Sequence, residues 1–284
     1  MTTVTKRQGM ISLVFCSFMW STGGLFIKLV NWHPMAICGI RGLIASIIIY
    51  MALLRLGHKM PLMDKRSLCS AFFLGITCNL FVIANKMTTA ANAIMLQSTS
   101  PIFVILFSAV FKRNFPSKRD FTTSMLVLFG IMLFFFDQLT FTGLLGNPIA
   151  LASGMLLAAA YIFTCEAKNV YESMSGVVLG HLFSFLLSIP FLFIYPIDYS
   201  SQSVTAILIL GIVQLGIPYV LFSIGTAVCS PLAVSLLSML EPMFNPVWVA
   251  LFLHEIPGPL ALCGSVIVII TLSCWCISGS KSER

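Results

Sequence analysis

Long apolar stretches, interrupted at near-regular intervals by short polar or charged punctuation, run the length of the chain. Read from one breaker to the next, they cover 9–30, 34–54, 67–85, 89–111, 120–136, 143–165, 175–195, 203–226, 229–253 and 257–277. Each is close to the ~20 residues a helix needs to cross hydrocarbon. The pattern therefore predicts an all-α membrane protein with ten transmembrane helices. Two starts are blurred, by Asp120 and by Pro257-Gly258-Pro259. The first run follows Lys6-Arg7 as a signal peptide would, but it is too long, lacks a small-residue cleavage pattern and ends in Lys28, so a retained helix is expected.

Composition agrees with the pattern and narrows the class. Only 9% of the 284 residues are charged and 58% are hydrophobic, against roughly 25% charged in a soluble domain. So few charges cannot cover a water-soluble globule of this size. A cytosolic enzyme, a nucleic-acid binder and a disordered protein are excluded, and ten spans leave no room for a separate soluble domain. The nine cysteines sit mostly inside apolar runs without a C-x-x-C pair; they read as small hydrophobes, and neither metal nor cofactor is expected.

The net charge of +7 reports orientation. Lys6, Arg7, Arg55, Lys59, Lys65, Arg66, Lys112, Arg113, Lys118, Arg119, Lys168, Lys281 and Arg284 share one set of span ends, whereas the opposite set has only Lys86. Basic residues accumulate on cytoplasmic loops, so a multi-pass protein of the cell (inner) membrane with both termini cytoplasmic is expected. An even number of spans is consistent with that.

The chain also repeats itself. A shift of 141 residues carries Leu96, Pro101, Phe103, Ala109, Phe111 and Pro116 onto Leu237, Pro242, Phe244, Ala250, Phe252 and Pro257 without a gap. The halves, 1–140 and 141–284, then hold five spans each. Because five is odd, the second copy enters the membrane from the opposite side. This is the inverted-repeat plan of secondary transporters, whose site lies near the midplane between the halves.

On these residues a family resemblance can be stated. Gly9 to Lys28, centred on Phe18-Met19-Trp20-Ser21, resembles the opening span of the drug/metabolite transporter superfamily, EamA-like branch. Pro34 to Ala45, with Arg41-Gly42-Leu43-Ile44-Ala45, resembles its second span. The clearest likeness is Leu240-Glu241-Pro242-Met243-Phe244-Asn245-Pro246-Val247-Trp248, followed by Leu253-His254-Glu255-Ile256-Pro257. One departure is Asn114, where the repeat equivalent of Glu255 is often an acid in this family. The resemblance implies ten spans, a central cavity and transport of small organic metabolites, commonly export of amino acids or drugs.

Candidate chemistry clusters at the prolines. Proline donates no backbone hydrogen bond and leaves the carbonyl four residues earlier unpaired, here Gln97 (from Pro101), Ser238 (from Pro242) and Gln214 (from Pro218). In lipid such carbonyls survive only facing protein or a water-filled cavity. Gln97, Ser98, Ser100, Gln214, Glu241 and Asn245 are therefore expected to face inward; prolines that merely kink packed helices are the alternative. Glu241 is the carboxylate placed deepest in any run. Burying it ionised and unpaired is expensive, so it must find a cation, a proton or water. It is the expected coupling residue, with a bond to the broken helix, or a pair with Arg41 or Lys28, as the structural alternative. Arg41 and His181, related by a shift of 140, are expected to anchor helices or snorkel outward (Arg41) and to be satisfied structurally (His181), with a substrate role for Arg41 and a proton relay for His181 as the alternatives. Trp20, Tyr161, Tyr219 and Trp248 could wall an organic substrate, Trp248 alternatively joining the interfacial belt.

Enzyme motifs are wanting. His254-Glu255 opens like a zinc-protease motif, but Gly258 takes the place of the second His, and neither a phosphate-binding loop nor a G-x-S-x-G elbow occurs. The sequence thus predicts a non-enzymatic secondary active transporter exporting an amino-acid or drug-like metabolite by alternating access, driven by protons. Substrate contacts are assigned to Trp20, Gln97, Ser100, Tyr161, Gln214, Tyr219, Glu241 and Asn245. The expected partners are a small molecule and the lipid bilayer, with no nucleic acid and the homodimer left open. The alternatives are an uptake permease for a vitamin, nucleoside or cationic metabolite, and a non-transporting membrane protein.

Overall fold

The computed structural model describes residues 4–113, 115–136, 145–244 and 258–281. Among them ten helical stretches run in chain order: α1 (Lys6–Leu29), α2 (Pro34–Arg55), α3 (Lys65–Met87), α4 (Ala90–Lys112), α5 (Lys118–Phe135), α6 (Gly146–Thr164), α7 (Val170–Ile194), α8 (Ser201–Thr226), α9 (Pro231–Phe244) and α10 (Pro259–Lys281). Eight are long and apolar enough to span a bilayer. Of the others, α5 carries Lys118, Arg119 and Asp120 in its first turn, and the description of α9 stops at Phe244. The fold is an all-α membrane protein, as the runs predicted. The blurred start at Asp120 resolves as capping: Ser117 accepts the Asp120 amide N–H, so the charged residues open α5.

Polar punctuation becomes helix caps. Thr5 accepts the amide of Gln8 while the Gln8 side chain accepts that of Thr5, and Asp64, Thr89, Asn169, Ser200 and Ser230 cap α3, α4, α7, α8 and α9 in the same manner. Each bond satisfies one of the amides a helix start leaves orphaned.

The packing is that of two inverted five-helix repeats. α3 packs on α6, and five helices later α8 packs on α1. α3 meets α7 as α8 meets α2, and α4 meets α6 as α9 meets α1. The pairs α2–α7, α4–α9 and α5–α10 exchange into themselves. Swapping the halves thus leaves this set of neighbours unchanged. Large apolar side chains such as Phe15, Ile47, Phe129, Phe193 and Ile270 stay exposed on the outside, a surface suited to hydrocarbon rather than water.

The helices that meet at the centre are interrupted. α1 breaks at Ser21–Thr22 and α4 at Ser98–Thr99. α9 breaks at Met239, the residue onto which the 141-residue shift carries Ser98. α8 contains a π-helical turn, Leu210–Gly216, just before Pro218. Such turns appear where the α-helical ladder is disrupted, often at functional sites.

Candidate functional site

The breaks leave carbonyls that need donors, and the structure supplies hydroxyls. At the α4 break the Leu96 carbonyl accepts the Thr99 hydroxyl at 2.7 Å. At the equivalent place in α9, the Leu237 carbonyl accepts the Ser17 hydroxyl from α1 at 3.0 Å. Gln97 extends from the α4 break to donate to Ser153 Oγ of α6 at 2.6 Å. That approach requires Gly154, where an added Cβ would lie 2.9 Å from the Gln97 carbonyl oxygen. Tyr161 of α6 donates its hydroxyl to Ser238 Oγ, beside the α9 break, at 3.0 Å.

Between these elements lies a cavity of about 50 Å³. It is lined by Trp20 (α1), Arg41 (α2), Thr77, Cys78 and Phe81 (α3), Gln97 (α4), Leu157 and Tyr161 (α6), Gln214, Leu215 and Tyr219 (α8), and Glu241 (α9). Six of the residues singled out from sequence, Trp20, Gln97, Tyr161, Gln214, Tyr219 and Glu241, thus share one chamber fed by both repeats. Ser100 does not line it: it is buried 3.4 Å from Ser235 Oγ, where α4 packs on α9. Its position one residue before Pro101 in the second segment of α4 points it at that neighbour. Asn245, and with it Pro246, Trp248 and Glu255, lies outside the described residues.

One wall is aromatic. Trp20 lies 5.1 Å from Tyr219 and 5.6 Å from Phe222, measured between ring centroids, and Tyr161 lies 5.9 Å from Phe222. His181 stands edge-on to Tyr219 at 4.4 Å. Both His181 nitrogens are buried without a hydrogen-bond partner, so the satisfied role expected of it does not describe its environment.

Arg41 departs further from expectation. It does not snorkel: it is 2% exposed, donating from Nη1 to Gln214 Oε1 at 3.2 Å and from Nη2 to the Cys78 carbonyl at 3.1 Å. It does anchor helices, joining α2 to α3 and α8. The π-helical turn presents Gln214 to it, and Gly23 makes room, since a Cβ there would come within 2.9 Å of Gln214 Nε2. The signal for Arg41 was present in the sequence, a cation inside an apolar run. Thr77, Cys78, Phe81, Leu157 and Leu215 carried no comparable signal, because nothing distinguishes them from packing residues without the α3–α6 and α2–α8 contacts. Glu241 forms no ion pair with Arg41 or Lys28.

At the end of α1 and α3 remote from Lys6 and Lys65, two lysines clasp the helices together. Lys28 Nζ donates to the Thr88 carbonyl at 2.9 Å and Lys86 Nζ to the Val30 carbonyl at 2.6 Å. Each cation sits on the C-terminal carbonyls of the other's helix, where the helix dipole favours it.

Known proteins resemble the chain throughout its length. The model of the EamA-like transporter family matches residues 7–136 and again 144–277. The pseudopaline exporter CntI of Pseudomonas aeruginosa is 23% identical over 98% of this chain and 98% of its own. The uncharacterized transporter YdfC of Bacillus subtilis is 23% identical over 92% of this chain and 89% of its own. A solved crystal structure shares the fold at a TM-score of 0.80, with 16% identity over 97% of this chain and 99% of that chain.

Proposed function

The chain belongs to the EamA-like transporter family, and from that premise we propose that this membrane transporter moves a small organic metabolite by alternating access, coupled to protons through Glu241. The observation that carries the reading is the position of Glu241, at the α9 break, on a cavity built by both repeats and walled by Trp20, Tyr161 and Tyr219. An ionised carboxylate held there without a cation is costly. Binding a proton or a cationic group of the solute relieves the cost. If the two compete for Glu241, solute leaves only as a proton enters, which is antiport. An inward proton gradient then drives export, the direction named for CntI.

The cavity supports a contracted resting state. At about 50 Å³ it is far below the roughly 300–1,000 Å³ of a small-molecule site, so loading requires α1, α3, α6 and α8 to separate on one side. The lysine clasp closes one end. We assign that end to the outside, and both termini to the cytoplasm of the cell membrane, from the distribution of lysine and arginine. Residues 1–140 and 141–284 are the moving halves in this reading. Gln97, Gln214 and the three aromatic residues contact the solute; Ser100 and Asn245 join them if opening turns the α4 and α9 breaks toward the chamber. Screening a labelled metabolite pool for uptake into proteoliposomes under an imposed proton gradient tests the reading. Flux that needs the gradient supports it, and wild-type vesicles inert toward the whole pool in both orientations count against it.

A further inference from the structure

We propose that Arg41 is an anion-binding subsite of the cavity, so that the transported solute carries a carboxylate or an equivalent anionic group. This rests on reading the cavity as the transport site, and it adds a residue and a charge requirement to that reading.

The first ground is an uncompensated charge. The Arg41 guanidinium is almost fully buried, yet both of its hydrogen-bond acceptors, Gln214 Oε1 and the Cys78 carbonyl, are neutral. No carboxylate of the described residues lies within ion-pair distance of it. Buried cations are ordinarily paired with an anion, because removing a charge from water is expensive. The side chain nearest in chemistry, His181, could add only positive charge.

The second ground is a set of donors with nothing to bind. Arg41 Nε, Trp20 Nε1 and Thr77 Oγ1 are all buried without a partner, and all three residues line the one chamber. Arginine and tryptophan nitrogens can only donate, and a hydroxyl can do so. Three buried donors without partners, on residues that border one small space beside an unpaired cation, are complementary to a group with several acceptor lone pairs and negative charge. Glu241 borders the same space with the opposite sign. An anionic group at Arg41 with a cationic group at Glu241 describes a zwitterionic solute, and with a proton at Glu241 it describes an anionic one.

The competing role is a clamp, in which Arg41 serves only to tie α2 to α3 and α8. The two roles differ in measurable ways. Acetate is small enough to probe the contracted chamber. Thermal unfolding of the purified full chain in nanodiscs would be followed as acetate replaces chloride at constant ionic strength. Acetate should raise the wild-type Tm in a saturable manner. Arg41→Met should abolish that rise, or shift its midpoint by about 10- to 150-fold, the equivalent of one charge-assisted hydrogen bond. Thr77→Val and Trp20→Phe, each deleting one idle donor, should weaken the acetate response while keeping the fold, and they serve if Arg41→Met does not fold. Absence of an acetate shift in the wild type, or a shift of equal size in Arg41→Met, overturns the proposal in favour of the clamp. Failure of the transport reading would look different: an intact, Arg41-dependent acetate shift in a protein that carries no solute.

Discussion

The Tyr161 hydroxyl donates to Ser238 Oγ at 3.0 Å, joining α6 to the residue just before the α9 break. Ser238 in turn donates to the Val234 carbonyl at 2.8 Å, so a chain of two hydroxyls ties the aromatic wall to the α9 segment that precedes the break, Ser238 standing three residues before Glu241. Tyr161→Phe should cost about 0.5–1.5 kcal/mol of stability, the net value of one hydrogen bond. The check is thermal unfolding in detergent alongside solute flux. The variant should fold and should transport more slowly than its small loss of stability accounts for. A change in Tm with flux untouched would make the link structural only.

The lysine clasp predicts a gate. Lys28→Met with Lys86→Met removes both cross-helix bonds at the ends of α1 and α3 and should raise the share of molecules open on that side. A cysteine at Gln97, in a background stripped of native cysteines, should then react faster with a membrane-impermeant reagent added outside sealed cells. An unchanged rate would show that these bonds do not hold the outer end shut.

Topology can be probed from the same side. A cysteine replacing Asp198 should be labelled from outside, and one replacing Ser117 should be labelled only after permeabilisation. External labelling at 117 would reverse the orientation drawn from the basic residues.

Asp198 also gives a pH signature. Its carboxylate accepts from the Ser200 hydroxyl at 2.7 Å, the Ser203 hydroxyl at 2.6 Å and the Ser200 amide at 2.9 Å. Those donors hold its pKa down at about 2. A depressed folded-state value stabilises the fold above the ordinary carboxylate pKa of about 3.9, and this contribution is lost as pH falls toward the folded value. Asp198→Asn should therefore melt below wild type at neutral pH, the gap narrowing once the pH drops beneath ~4. A gap independent of pH would assign the effect to the loop's shape rather than to the charge.

Much of this architecture is readable from the residues, for physical reasons that also explain the rest. Hydrocarbon demands long apolar helices, so the runs announce themselves, and Ser117 or Asp64 mark helix starts because orphan amides need acceptors. The prolines at 101, 218 and 242 locate the interruptions and hence Gln97, Gln214 and Glu241 on the chamber. Ser100 misled because proximity to a break does not set azimuth: its hydroxyl turns to Ser235. Arg41 was legible as an anomaly, with a substrate role only as its second reading, since its inward course depends on Gln214 of the other repeat, 173 residues away. The π-helical turn that presents Gln214 has no sequence rule beyond the nearby Pro218.

Glu241→Gln in proteoliposomes is the most direct test of the central claim. The substitution keeps size and one acceptor but removes ionisation, and the solute would be whichever member of the metabolite pool the wild type carries. Proton-driven accumulation should disappear, along with the pH dependence of flux, whereas gradient-free exchange and folded yield should remain. Accumulation that stays proton-driven and pH-dependent in the well-folded variant would contradict the account.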